Sequence, residues 1–300
     1  LALFGNILLT IAVTGHDRGA EVSLLFSDLT AAAPAMNVKL LKGAFIFLLV
    51  GYGTKMGLVP MHTWLPDAHS EAPGFISALL SGALLNCAFL GILRLFPVVC
   101  AAGEPLADFA SSLLRGFGLL SMGTAAVFLA NQKDYKRMLA YSSVEHMGIL
   151  AFGVGMGGMA LYGAMYHTMN HSLVKAALFL AAGTILGSFG TKESVLVRGM
   201  GQRIPRTAVL WSAGFFAITG FPPFGTFFSE FLIMKEAFTK GKPIGGALFI
   251  LFLTVAFFGR AAAVIPMARG RGERPVQPER EPFLAVLVPA MFLLLCAAIG

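Results

Sequence analysis

The chain has 300 residues, of which 57% are hydrophobic and only 12% charged, and its mean hydropathy is +0.78. That balance excludes a soluble globular domain and marks a polytopic membrane protein. The formal charge of +7 sits in loops and at helix ends, which suits basic cytoplasmic loops; no nucleic-acid partner is expected.

The first apolar run, Leu1 to Thr14, has the length of the end of a spanning helix. With no initiating Met and no signal-peptide pattern, the chain reads as amino-terminally truncated. Gly15 to Asn37 is a loop holding Asp17, Glu21, Asp28 and Pro34, and its alternating EVSLLF patch reads as a short strand. Val38 to about His62 is the second span. It carries Lys55 inside the apolar run, with Pro60 five residues on, and leads into the polar knot WLPDAHSEAP. A proline there removes a backbone hydrogen bond, and an ammonium at that depth is costly. Lys55 therefore reads either as part of an ion pathway beside a broken helix or as a helix-end lysine that snorkels to the interface.

About Ala72 to Phe96 is the third span, with Asn86 at its middle: a neutral group that hydrogen-bonds but carries no proton. Phe109 to Ala130 is the fourth, followed by the basic loop NQKDYKR. Met138 to Gly155 is the fifth, interrupted by Glu145 and His146. Glu145 reads either as the partner of a lysine on a neighbouring helix or as a wetted carboxylate near the membrane face. GVGMGG (Gly153 to Gly158) follows no strand and reads as a tight turn, not a dinucleotide fingerprint.

Ala160 to Gly187 is the sixth span. His167, His171 and Lys175 recur at i, i+4 and i+8, which puts all three on one helix face. Imidazoles accept and donate protons near neutral pH, so the stripe reads as a proton relay; the competing reading is hydrogen-bonded glue between helices. Lys192 to Arg206 is a second basic loop. Thr207 to Phe238 is the seventh span, interrupted at GFPPFG with Glu230 shortly after; Ile244 to Met267 is the eighth. A Pro/Arg/Glu-rich loop and a last span, Phe283 to Gly300, divide off residues 268–300 from a transmembrane domain over 1–267.

Two interrupted helices five spans apart, each with an ionisable residue near its break, have opposite orientations in the membrane. That is the pattern of inverted-topology repeats. The fold expected is an all-α, polytopic membrane helix bundle of such repeats. Alternate loops put Lys133, Lys136, Arg137, Lys192, Arg198, Arg203, Arg206, Arg269, Arg271, Arg274 and Arg280 on one side, which the positive-inside rule makes cytoplasmic, the WLPDAHSEAP knot with them. Cys87, Cys100 and Cys296 share no short spacing, so neither a disulfide framework nor a metal site is expected. No cofactor motif is present, and any redox chemistry is assigned to other subunits.

The stretches K-(x)4-P-(x)3-WLPDAHSEAP, HTMNHSLVKAALFLAAG and GFPPFGTFFSEF resemble the antiporter-like subunits shared by respiratory complex I, Mrp-type cation/proton antiporters and membrane-bound [NiFe] hydrogenases. AYSSVEHMGI and the asparagine in LLN look most like component F of hydrogenase-4-type complexes. The resemblance implies a non-redox, proton-translocating subunit of an oxidoreductase complex in the cell (inner or plasma) membrane. Its partners would be other membrane subunits and a peripheral redox arm. A complex I subunit and an Mrp-type Na+/H+ antiporter subunit are the alternatives. It further implies that Lys55 is the pumping lysine, that His167, His171 and Lys175 form the polar stripe, and that Glu230 is the terminal charged residue of a broken helix. Asn86 stands where many complex I members carry a second lysine, so His62 or His146, with water, would bridge that gap.

Overall fold

The computed structural model describes residues 1–14, 23–270 and 278–300. The described residues are helical apart from short connections, with one isolated antiparallel bridge, Asp134 to Glu193. In chain order the elements are α1 (Ala2–Thr14), α2 (Phe26–Ala32), α3 (Val38–Met56), α4 (Trp64–Glu71), α5 (Gly74–Leu79), a π-helical turn (Leu80–Leu84) and α6 (Leu85–Ala101). They continue as α7 (Glu104–Ala130), α8 (Tyr135–Met156), α9 (Met159–Phe189), α10 (Met200–Arg203), α11 (Pro205–Ile218), α12 (Gly225–Thr239), α13 (Pro243–Arg269) and α14 (Phe283–Ala298). The stretches 74–101, 104–130, 159–189 and 243–269 are each long and apolar enough to cross a membrane unaided.

Helix boundaries follow local chemistry. Asn37 caps α3 by accepting from the N–H groups of Lys39 and Leu40 at 3.0 and 3.2 Å. Asp134 caps α8 in the same way, from Lys136 and Arg137. Gly57 takes a left-handed conformation, φ 85°, and ends α3 at Met56, six residues short of the predicted end. The second predicted break is present too, from Thr219 to Phe224 between α11 and α12. Backbone groups released at the first break find side-chain partners: Trp64 Nε1 donates to the Thr54 carbonyl at 2.7 Å, and the Val59 N–H donates to Ser121 Oγ at 3.0 Å.

No strand forms over the described part of the EVSLLF patch, Ser23 to Phe26. Glu21 and Val22 lie outside the described residues, and from Phe26 the chain is helical, with Asp28 in the first turn of α2. A five-to-six-residue alternating patch with no neighbouring strand cannot pair its backbone groups, whereas a helix satisfies its own. Asp17, Arg18, Arg271 and Arg274 also lie outside the described residues.

Two helices organise the packing. α8 is buried on every side from Ser142 to Met156, as a core helix is. It crosses α7 closely: a β-carbon on Gly118 would lie 2.7 Å from the Gly148 carbonyl, and one on Gly148 would lie 2.7 Å from the Gly118 carbonyl. α9 packs against α5, α8, α11, α12 and α14, so anything on its faces is shared with five neighbours.

Candidate proton-transfer site

α8 and α9 run antiparallel, and the residues of α8 give a depth scale. His146 is twelve residues on from Asp134 at its start, about 18 Å of helix rise. The outer end is tied to the two basic loops. Ser70 Oγ donates to Asp134 Oδ2 at 2.8 Å, and Lys136 Nζ donates to the Ser70 and Ala72 carbonyls at 2.9 and 2.6 Å. Arg137 pairs with Asp67 at 2.6 Å and Lys192 with Glu71 at 2.9 Å. The hydrogen bond and positive charge of Lys192 hold the Glu71 carboxyl below its ordinary range. The WLPDAHSEAP knot and the loops after α7 and α9 thus share one face of the bundle.

One turn deeper, Lys175 Nζ donates to the Leu139 carbonyl at 2.7 Å; the lysine is fully buried. Next come Glu145 and Arg260. Both are buried and form an ion pair, which Arg260 extends to Ser142 Oγ at 3.0 Å. The predicted lysine partner of Glu145 is therefore an arginine, on α13, and the carboxylate is not wetted. Arg260 is a buried charged neighbour of the candidate site that the sequence reading missed. A lone charge in the apolar run FFGRAAAV was the available signal.

At the deepest level the His167, His171 and Lys175 stripe of α9 meets His146. His146 Nδ1 lies 2.8 Å from His167 Nε2, and the His146 and His171 ring centroids are 5.4 Å apart. His167 Nδ1 lies 2.7 Å from Ser229 Oγ, and Ser229 donates to the Thr226 carbonyl at 2.7 Å. These bonds set a polarity. A serine that gives its proton to Thr226 must accept from His167 Nδ1–H. Neutral His167 then accepts at Nε2 from His146 Nδ1–H. His146 Nε2 is left as a buried lone pair with no protein partner among the described residues. A proton taken up there can pass to His167 as the His146 Nδ1–H, leaving His167 the imidazolium; Ser229, its own proton spent on the Thr226 carbonyl, holds that ring in place.

Glu230 follows Ser229 on α12 and is 8% exposed, with Oε1 unpartnered among the described residues. Donor atoms of His146, His167 and Glu230 lie within 4.8 Å of one another. The two histidines spend one nitrogen each on their mutual bond, so the three fit a shared proton better than a metal with ligands at about 2.0–2.2 Å. Both nitrogens of His171 and Nδ1 of His62 are likewise buried without a protein partner among the described residues.

Three predicted site residues lie off this line. Lys55 is exposed on the surface of the described chain, its ammonium 6.0 Å from the Trp64 ring centroid. The His62 ring lies beside Tyr141, at 6.3 Å between centroids. Asn86 turns to the back of α9, donating to Ser172 Oγ at 2.5 Å and to the Gly82 carbonyl at 2.9 Å.

Residues 2–259 match the family described as "NADH:quinone oxidoreductase/Mrp antiporter, TM". The chain is 38% identical over 299 residues to the Hydrogenase-4 component F homolog of Methylacidiphilum infernorum (isolate V4), covering 99% of this chain and 62% of that protein. It is 30% identical over 297 residues to NADH-quinone oxidoreductase subunit N of Desulforudis audaxviator, covering 94% of this chain and 58% of that one. The fold matches a chain of the membrane-bound sulfane sulfur reductase, an archaeal respiratory membrane complex, with a TM-score of 0.87, 22% identity, all of this chain and 61% of the other. The chain thus spans about three fifths of the relatives it matches, and with a family match over residues 2–259 it belongs to the transmembrane NADH:quinone oxidoreductase/Mrp antiporter family.

Proposed function

We propose that this chain is the proton-conducting part of a membrane subunit in a redox-driven complex of hydrogenase-4 type. Likeness to the Hydrogenase-4 component F homolog supports the type of complex. The observation that carries the reading is the buried file Lys175, His171, His146, His167, Ser229 and Glu230, contributed by α8, α9 and α12. Burying so many ionisable groups in an apolar bundle is costly unless they pass or hold charge. Lys175 has three donors and one protein acceptor, so it can cycle between ammonium and amine. The buried Glu145–Arg260 pair is a fixed dipole beside the file and carries no proton itself. Lys55, beside the first break, is the separate switching lysine, joined to the file through water and His62 or His146.

The shared face of the knot and the basic loops is the cytoplasmic one by the positive-inside rule. The partners are other membrane subunits and a peripheral arm that carries the redox centres. Redox-driven acidification by the full-length complex in proteoliposomes tests the reading. Lys175→Met is expected to abolish proton translocation while electron transfer persists. Translocation at the wild-type rate in an assembled Lys175→Met complex would sink it. Sodium flux without any redox partner would move the chain to the Mrp-type reading.

A further inference from the structure

We propose that the trough between α5, the π-helical turn, α9 and α14 holds one anionic glycerophospholipid, in the leaflet at the basic-loop face. The inference stands apart from the proton-conducting reading and needs only that the bundle lies in a membrane. Two cavities of about 620 and 490 Å³ share Phe75, Leu180 and Val288, so they form one continuous trough. Both volumes are in the range of small-molecule sites, about 300–1,000 Å³. Small residues make the surface concave: Gly74, Gly183 and Gly187 in its outer part, Ala83 and Ala176 at its inner end.

Length points to a lipid rather than a helix. Pro282 lies at the mouth of the trough and Phe292 at its deep end, ten residues apart along α14. That is about 15 Å of rise, half of the ~30 Å hydrocarbon core. The trough therefore covers one leaflet and stops. A spanning helix from another subunit needs a track of about twenty residues, twice this length. A phospholipid, whose chains occupy a single leaflet, matches it. Phe75, Leu79 and Leu284 are exposed along the walls, where acyl chains would cover them.

Charge at the mouth selects the headgroup. A third cavity, about 510 Å³, shares Glu279, Arg280, Glu281 and Pro282 with the trough and adds Arg206. Both carboxylates there are already engaged. Glu279 accepts from Ser188 Oγ and from Arg203 Nε, each at 2.6 Å. Glu281 accepts from the Arg206 and Thr207 N–H groups at 2.9 and 2.7 Å and from Thr207 Oγ1 at 2.6 Å. The side chains of Arg206 and Arg280 are exposed and make no hydrogen bond or ion pair among the described residues. Three guanidinium groups, counting Arg203, thus face two carboxylates, and the mouth keeps a positive charge. The helix α14 also begins here, at Phe283, and turns the positive end of its dipole to the same place. Guanidinium forks of this kind match the oxygens of a phosphate.

The test is lipid retention by the full-length complex, a readout independent of proton translocation. Delipidated complex is titrated with dioleoyl phosphatidylglycerol or dioleoyl phosphatidylcholine, and bound lipids are counted by native mass spectrometry. Arg206→Gln combined with Arg280→Gln is expected to weaken the hold on one phosphatidylglycerol by about tenfold or more, with assembly and melting temperature unchanged. Phosphatidylcholine is expected to bind the wild type more weakly by a similar factor. Ala83→Phe fills the deep end and is expected to expel the same lipid with both arginines in place. Benzoylphenylalanine in place of Phe292 reads the occupant directly, and on illumination an adduct with the mass of the added phospholipid is expected. Equal retention of phosphatidylglycerol by the wild type and the double glutamine variant overturns the inference, as does equal retention of the two lipids by the wild type. An adduct from position 292 to a protein segment overturns it too and makes the trough a face for helix docking.

Discussion

Replacing Arg260 by methionine removes one half of an ion pair whose residues are 2% and 0% exposed. Glu145 is then left in an apolar bundle with no countercharge, and Ser142 loses its donor. Breaking a buried pair from one side costs about 3–5 kcal/mol, whereas replacing both members by apolar residues of similar volume comes out near neutral. At roughly 2 °C per kcal/mol for a chain above 200 residues, Arg260→Met is expected to lower the melting temperature by about 6–10 °C. The double variant Arg260→Met with Glu145→Met is expected to recover most of that loss. Thermal unfolding of the purified complex in detergent, followed by tryptophan emission at a fixed scan rate, gives both numbers. The pair is read as a mutual electrostatic lock. If the double variant melts as low as the single one, Arg260 holds α13 through its packing, and that reading fails.

Gly148→Val puts a branched side chain where even a β-carbon would sit 2.7 Å from the Gly118 carbonyl. Overpacking of this kind costs typically ~1–3 kcal/mol, more where backbone must move. The yield of monodisperse complex is expected to collapse; a normal yield would show that α7 and α8 have room to part. Lys192→Ala is expected to raise the Glu71 carboxyl back towards its ordinary value. Because the folded value is depressed, the clasp is complete above the ordinary carboxylate range and is lost as pH falls through the depressed value. Carboxyl NMR or infrared titration of Glu71 reads this directly, and identical curves in wild type and variant would remove Lys192 as the cause.

Periodicity alone was enough to find the α9 stripe, since i, i+4, i+8 is a local property of one helix. The breaks were legible too, because Gly and Pro act on the backbone where they stand: the first helix stops at Met56, just before Gly57, and the second break falls at GFPPFG. What local pattern does not carry is partnership. Arg260 and Glu145 are 115 residues apart, and nothing near either names the other. His69 was hidden by its neighbours: Asp67, Ser70 and Glu71 make the segment look solvated, yet one residue among them faces inward. The same limit applies to Asn86, whose position in the run suggested the file but whose side chain faces Ser172 at its back.

The π-helical turn at Leu80–Leu84 sets the phase of the third span. Gly74 meets the backbone of α9 at Phe179 and Gly183, and Asn86, twelve residues later, meets it at Ser172. In an unbroken α-helix twelve residues overshoot a whole number of turns by about 120°, which would swing Asn86 away from α9. The wide turn amounts to one extra residue and takes back about 100° of that drift. The helix therefore shows one unrotated edge to α9 from membrane face to midplane. Deleting a single residue within the turn would leave its outer half seated and present a different meridian of its inner half to α9.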